Sequence, residues 1–231
     1  MRPVWWLEEE AYAGEEHLDA DYVAGYDAKS QVDPSEDIEK LVSLGLGESS
    51  VLVDLGAGTG VFSLAAAETG AGVVAVDVSP AMVDSIRERA EQSDLDNITV
   101  VRAGFLSYDH ALPPADFVYT RNALHQLPDF WKVIALNRIA ALIRTGGHLL
   151  IRDLVFDLEP DAVEEGIAEW MSGATDDPAR GFTAEELAEH VRKEFSTFTW
   201  IFEPMLQRCG FEILEQSSRR SAYGTYLCRK V

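Results

Sequence analysis

The residues with the strongest chemical implication are ten consecutive positions, Val51-Leu52-Val53-Asp54-Leu55-Gly56-Ala57-Gly58-Thr59-Gly60: an apolar run, a carboxylate, then glycine at every second position. Alternating glycines open backbone angles closed to other residues and let a ligand approach the main chain without meeting a Cβ. A nucleotide-like cofactor suits such a loop. The spacing narrows the choice, because a dinucleotide fingerprint reads Gly-x-Gly-x-x-Gly and a phosphate-binding P-loop continues into Gly-Lys-Ser/Thr, and neither pattern follows here. Asp77, 21 residues beyond Gly56, closes a second apolar run, Gly72-Val73-Val74-Ala75-Val76-Asp77. A carboxylate at that strand end can accept hydrogen bonds from both ribose hydroxyls.

These groups need strands that end beside one another and helices that begin there. The apolar run at 51–55 suits a buried parallel strand, and Ser79-Pro80 supplies an N-cap and a first-position proline for a helix over 81–92. Further strand-like runs at 98–102, 116–120 and 148–156 alternate with helical patterns, which indicates a doubly wound parallel sheet. The chain closes with 211–216 and 223–229 joined by a polar turn at 217–221, too short a link for anything but an antiparallel hairpin. Asp33-Pro34-Ser35-Glu36 reads as an N-cap, a first-position proline and an acid in the first turn of a helix ended by Gly45 and Gly47, and Thr183-Ala184-Glu185-Glu186 reads as a capping box. The expected fold is α/β: a Rossmann-like seven-stranded sheet, mostly parallel with an antiparallel C-terminal hairpin strand, plus a helical cap. One domain spans 1–231, divided into an N-terminal cap (1–47), a cofactor-binding core (48–156), a helical insertion (157–205), and a final helix end and hairpin (206–231).

The acid followed by Gly-x-Gly-x-Gly at the end of the first strand resembles the first motif of the class I S-adenosylmethionine-dependent methyltransferases, and the terminal hairpin resembles their fold. The run Asn122-Ala123-Leu124-His125-Gln126-Leu127 resembles the Asn-Ala-Leu-His-His-Leu stretch of small-molecule, quinone-biosynthesis-type members. The resemblance implies S-adenosylmethionine as cofactor and S-adenosylhomocysteine as its product. It implies a loop of Asp54, Gly56, Ala57, Gly58 and Gly60, with Asp77 on the ribose and Val78 and Met82 flanking adenine. Thr120, Arg121 and Asn122 would line the methionine end, and His125 would face the pocket. Two departures stand out. Relatives often carry Gly-Asp after the third strand, where the acid accepts from the adenine amino group; this chain has Gly104-Phe105, leaving Phe105 to stack near adenine and Asp109 to stand in for the acid. Before the fifth strand, Arg144-Thr145-Gly146-Gly147 replaces a Lys-Pro-Gly-Gly turn and keeps its glycines.

The candidates for catalysis are His125 and Asp153. A histidine after a strand end can act as a general base or simply hold its loop, and Arg152 and Asp153 can meet substrate or pair with each other. Tyr12, Tyr22 and Tyr26 can anchor the cap or reach the cofactor carboxylate. No metal-ligand spacing is present, and Cys209 and Cys228 read as buried thiols.

Composition bounds the partners. With a net charge of −21 and only five lysines among 231 residues, no basic stripe is available for a polynucleotide. The Asn/Asp/Ser-Pro-Pro-aromatic motif of amino-directed nucleic-acid methyltransferases is also missing, and no cysteine lies in the loop after the fourth strand. The acids concentrate at 8–39 and 157–194, twelve in each, and read as a solvated surface. With no apolar run of membrane length and no signal-peptide core at Met1–Leu7, the expected location is cytoplasmic. The expected activity is methyl transfer to a small-molecule acceptor by in-line displacement, without nucleic acid or membrane, and with a homodimer allowed. Two alternatives stay open: a non-catalytic S-adenosylmethionine-binding protein with a protein partner, and a nicotinamide-dependent oxidoreductase.

Overall fold

The computed structural model describes residues 3–18 and 20–231; Met1, Arg2 and Asp19 lie outside the described residues, as do the parts of the leader and cap readings that fall on them. Two short 3-10 turns, Glu9–Tyr12 and Glu15–Leu18, precede α1 (Ala20–Ser30) and α2 (Ser35–Ser43). The core then alternates: β1 (Val51–Leu55), α3 (Val61–Ala67), β2 (Gly72–Asp77), α4 (Pro80–Gln92), β3 (Ile98–Arg102), β4 (Ala115–Arg121), α5 (Asp129–Leu142) and β5 (Ile143–Phe156). The insertion holds α6 (Val163–Met171), α7 (Ala184–Lys193) and the two-residue β6 (Thr197–Phe198), and α8 (Thr199–Arg208) leads to β7 (Phe211–Arg219) and β8 (Tyr223–Lys230).

The strands lie in the order β3-β2-β1-β4-β5-β8-β7. The first five are mutually parallel, and β8 is antiparallel to both β5 and β7. Three details depart from the sequence expectation. β6 adds a parallel pair to the end of β5 inside the insertion expected to be helical; two residues carry no periodicity to read. The hairpin continues through Ser217, Ser218 and Arg219, which pair with Thr225, Gly224 and Tyr223, so the turn is confined to 220–222 with Arg220 and Ser221 at positive φ. At α2, Asp33 accepts the Ser35 N–H at 3.0 Å, and the helix begins one residue later than expected, after Pro34.

Strand alternation decides what each face meets. Val53, Leu55, Val118, Leu149 and Ile151 face α5 and α8, packing with Trp131, Leu136, Ile139, Phe202 and Leu206. Leu52, Phe117, Tyr119 and Leu150 face α2 and α3, packing with Leu41, Phe62 and Ala66. Burying each such side chain contributes about 1.5–3 kcal/mol. A smaller cluster of Leu154, Phe156, Trp170 and Leu187 seats the insertion on the end of β5. No helix among the described residues is long and apolar enough to cross a membrane.

Candidate functional site

The glycine loop joins β1 to α3 and is pinned to the neighbouring strand, since the N–H groups of Gly56 and Ala57 both donate to Val76 O, at 2.9 and 3.0 Å. Two glycines are demanded by their surroundings. Gly56, at φ +73°, faces Ala123 so closely that a Cβ there would collide with the alanine side chain. Gly60, at φ +86°, would bring a Cβ to 3.0 Å from Ile86 of α4.

Asp77 ends β2 beside this loop. Its Oδ2 accepts the Gly58 N–H at 2.8 Å and its Oδ1 the Ser79 N–H at 2.9 Å, so one carboxylate joins the loop to the start of α4. Burial pushes its carboxyl above the usual range, against the pull of those two N–H groups. Ser79 caps α4 by accepting the Met82 N–H at 3.3 Å and donates to His17 O at 2.7 Å, tying the N-terminal cap to the same helix end.

A cleft of about 730 Å³, its open mouth included, lies in front of Asp77. Gly56, Gly58, Val78, Met82, Gly104, Phe105, Arg121 and Asn122 also line it. A second cleft of about 470 Å³, its open mouth included, is lined by Asp54 and Ala57 and shares Gly56, Gly58, Tyr26, Arg121 and Asn122 with the first. Gly60 lines neither cleft; it packs on Ile86. Asp54 points to the α3 face by strand alternation, where Ser63 Oγ donates to it at 2.5 Å. Burial pushes its carboxyl up to about 7, with Ser63 opposing and Asp77 adding to the rise.

The cap supplies residues that sequence reasoning did not assign to the pocket. Glu9 and His17 line the first cleft, with Tyr12 and Tyr26. Burial, and then Asp77, push the Tyr26 hydroxyl up to about 12. Glu9 Oε2 accepts the Leu106 N–H at 2.8 Å, Oε1 accepts from the Ser107 hydroxyl, and the carboxylate lies directly over the bare Cα of Gly104. Asp109, expected to stand in for the acid after β3, is instead exposed and paired with Arg138 at 2.9 Å. Within the triplet Glu8-Glu9-Glu10 nothing in the sequence singles out the middle acid.

His125 and Asp153 line neither cleft. His125 is buried behind the wall in the turn Leu124–Gln126, its Nδ1 2.5 Å from Asp153 Oδ1 and its Nε2 2.9 Å from Glu194 Oε2. Asp153 Oδ2 also accepts the Leu124 N–H at 2.8 Å. Burial alone lowers the imidazole's pKa, but the two carboxylates outweigh it and hold His125 up to about 9. Arg152 and Asp153 do not pair, because consecutive strand residues point to opposite faces. Arg152 turns to the α2 face, its Nε 2.5 Å from Asp37 Oδ1 and its Nη2 2.8 Å from Glu36. The buried Asp37 also accepts from the Tyr119 hydroxyl at 2.8 Å and lies 3.6 Å from Arg121.

Residues 52–147 match the family model described as a methyltransferase domain. An uncharacterized methyltransferase of Anoxybacillus flavithermus is 27% identical over 164 residues, covering 71% of this chain and 70% of that protein. Another, of a Geobacillus species, is 26% identical over 77% of this chain and 76% of its own length. Among solved structures, the CcbJ methyltransferase of Streptomyces caelestis superposes with a TM-score of 0.69 at 16% identity, over 97% of this chain and 100% of that one. The magnesium protoporphyrin IX methyltransferase of Synechocystis, with bound S-adenosylmethionine, superposes at 0.68 and 14% identity, over 99% and 100%.

Proposed function

We propose that this chain, a class I S-adenosylmethionine-dependent methyltransferase, methylates a small-molecule acceptor held between the cofactor cleft and the N-terminal cap. The observation that carries this reading is a single cleft walled by the glycine loop, by Asp77 and by the cap residues Tyr12, His17 and Tyr26. The residues fit the cofactor's three parts. Asp77 suits the ribose hydroxyls, and Val78, Met82 and Phe105 give apolar walls for adenine. Glu9 offers a carboxylate acceptor to the adenine amino group, in the place Asp109 does not fill. Arg121 and Asn122, with Asp54, suit the charged amino-acid end.

When bound, the cofactor supplies a methyl group already activated by its sulfonium. The protein's part is to align the acceptor with that group and exclude water, and orientation alone contributes about 7–11 kcal/mol in well-positioned systems. His125 and Asp153 lie behind the wall and serve in this reading by holding the Leu124–Gln126 turn, which presents Gln126 and Leu127 to the cleft. Tyr26, a neutral phenol in the cleft wall, offers a hydrogen-bond donor there.

The test is calorimetry with S-adenosylhomocysteine followed by methyl transfer across an acceptor panel. Micromolar binding that Asp77→Ala weakens supports the reading; no binding, or a melting temperature raised by NADH instead, overturns it. The same proposal takes 1–231 as one domain working in the cytoplasm without nucleic acid, whose phosphates the −21 charge repels. Gel filtration reads out the homodimer.

A further inference from the structure

We propose that His125, His190 and Glu194 bind a divalent cation of the zinc, cobalt or nickel type behind the wall of the cofactor cleft. One ligand atom from each lies within 4.8 Å of the other two. His190 and Glu194 stand four apart at the end of α7, so they share a helical face, and His125 comes to them from the turn after β4.

Both rings are held from behind. His125 Nδ1 meets Asp153 Oδ1 at 2.5 Å and His190 Nε2 meets Ser196 Oγ at 2.8 Å, which turns the inner nitrogens, His125 Nε2 and His190 Nδ1, toward Glu194 Oε2 at 2.9 and 2.6 Å. A carboxylate on the outer nitrogen that fixes a ring and makes the inner one more basic is the usual support of a metal-binding histidine. The surrounded oxygen is buried and in ion-pair contact with both rings, yet it receives no aligned hydrogen bond from either. Two nitrogens and a carboxylate that converge without aiming at one another leave a shared point for a cation.

Charge and donor type agree. Asp153 and Glu194 bring two negative charges to this spot, which a dication balances. The Gln126 amide, 3.3 Å from His125 Nε2, supplies a fourth donor once its oxygen is turned inward. Two imidazoles and one carboxylate favour zinc-like ions over magnesium or calcium. Neighbouring donors on a tetrahedral zinc with bonds of about 2.0–2.1 Å stand roughly 3.3 Å apart. Loading therefore moves Glu194, whose side chain is 23% exposed, outward, lengthening its contacts from 2.9 and 2.6 Å to about 3.3 Å. The ion clasps the end of α7 to the turn that presents Leu127 to the cleft, next to the bond from Phe195 N–H to His125 O at 2.9 Å.

The test uses the full chain freed of metal by chelation and titrated with Co²⁺ or Zn²⁺ alone. One equivalent binding, with a tetrahedral cobalt absorption band, supports the site when His190→Ala and Glu194→Gln each abolish the band. Asp153→Asn should weaken binding by about 10- to 100-fold. Circular dichroism establishes that each variant is folded, with His190→Gln replacing the alanine where it is not. The proposal is overturned when wild type binds no stoichiometric metal, or when the folded His190 and Glu194 variants bind it as wild type does. None of these readouts depends on methyl transfer.

Discussion

If Glu9 recognises adenine, its carboxylate should discriminate a ligand that carries the 6-amino group from one that lacks it. A carboxylate offers about four acceptor sites. Leu106 N–H occupies one at 2.8 Å and the Ser107 hydroxyl another, which leaves about two for a ligand in the cleft. A hydrogen bond to a charged group is worth about 1.5–3 kcal/mol, so wild type should bind S-adenosylhomocysteine about 10- to 150-fold more tightly than its 6-deamino analogue. Glu9→Gln keeps the length of the side chain and an oxygen for Leu106, but a neutral acceptor is worth only about 0.5–1.5 kcal/mol. The preference should therefore shrink by about tenfold while affinity for the deamino analogue barely moves. Calorimetry with both ligands on both proteins forms the cycle. Equal weakening of the two ligands would refute the assignment and leave Glu9 as a brace for the loop after β3; failure of wild type to bind either would refute the cofactor reading itself.

Three further outcomes are expected. Asp77→Ala should weaken S-adenosylhomocysteine by about 10- to 150-fold per lost charged hydrogen bond and lower the melting temperature as well, because the side chain also anchors the Gly58 and Ser79 N–H groups. Asp37→Ala should cost about 1–3 kcal/mol in urea unfolding, because the buried Tyr119 hydroxyl loses its acceptor while Arg152 keeps Glu36; unchanged stability contradicts this account. Asp54, with its carboxyl held up to about 7, keeps a proton in the native state that the unfolded chain has released by about pH 4 to 5. Native protein thus binds more protons across that window, and this residue's contribution to stability falls as pH rises from about 4 to 7. A cationic amino group placed beside Asp54 favours its charged form, so cofactor binding near pH 6.5 should release a proton, read as a dependence of binding enthalpy on buffer ionisation enthalpy that Asp54→Asn removes.

The core strands were legible because their information is local. Val51–Leu55 and Gly72–Asp77 are short apolar runs bounded by glycines, and Ser79-Pro80 announces α4 in two residues. The Thr183 capping box was legible for the same reason. What escaped was long-range. Glu9 reaches Leu106 across 97 positions, and only the tertiary fold distinguishes it from Glu8 and Glu10. Asp109 lies nearer in sequence to the gap left by Gly104-Phe105, yet the turn after β3 directs it to Arg138 and solvent. β6 was invisible because its two residues are fixed entirely by the end of β5.

The end of β5 shows how the least legible parts of the chain are organised. Strand alternation sends Arg152 to one face of the sheet and Asp153 to the other, so two adjacent residues hold two separate covers. Arg152 grips Asp37 and Glu36 of α2, and through Asp37 the hydroxyl of Tyr119 and the guanidinium of Arg121 in the cleft wall. Asp153 holds His125, and through it Glu194 and His190 at the end of α7. Both acidic segments, which by composition look like plain solvated surface, thus place individual carboxylates in contact with the strand ends that form the pocket. A change in acceptor specificity need not touch the glycine loop at all: altering Glu194 would reposition the insertion relative to a fixed cofactor site. Such a change should alter KM for the acceptor more than affinity for S-adenosylhomocysteine.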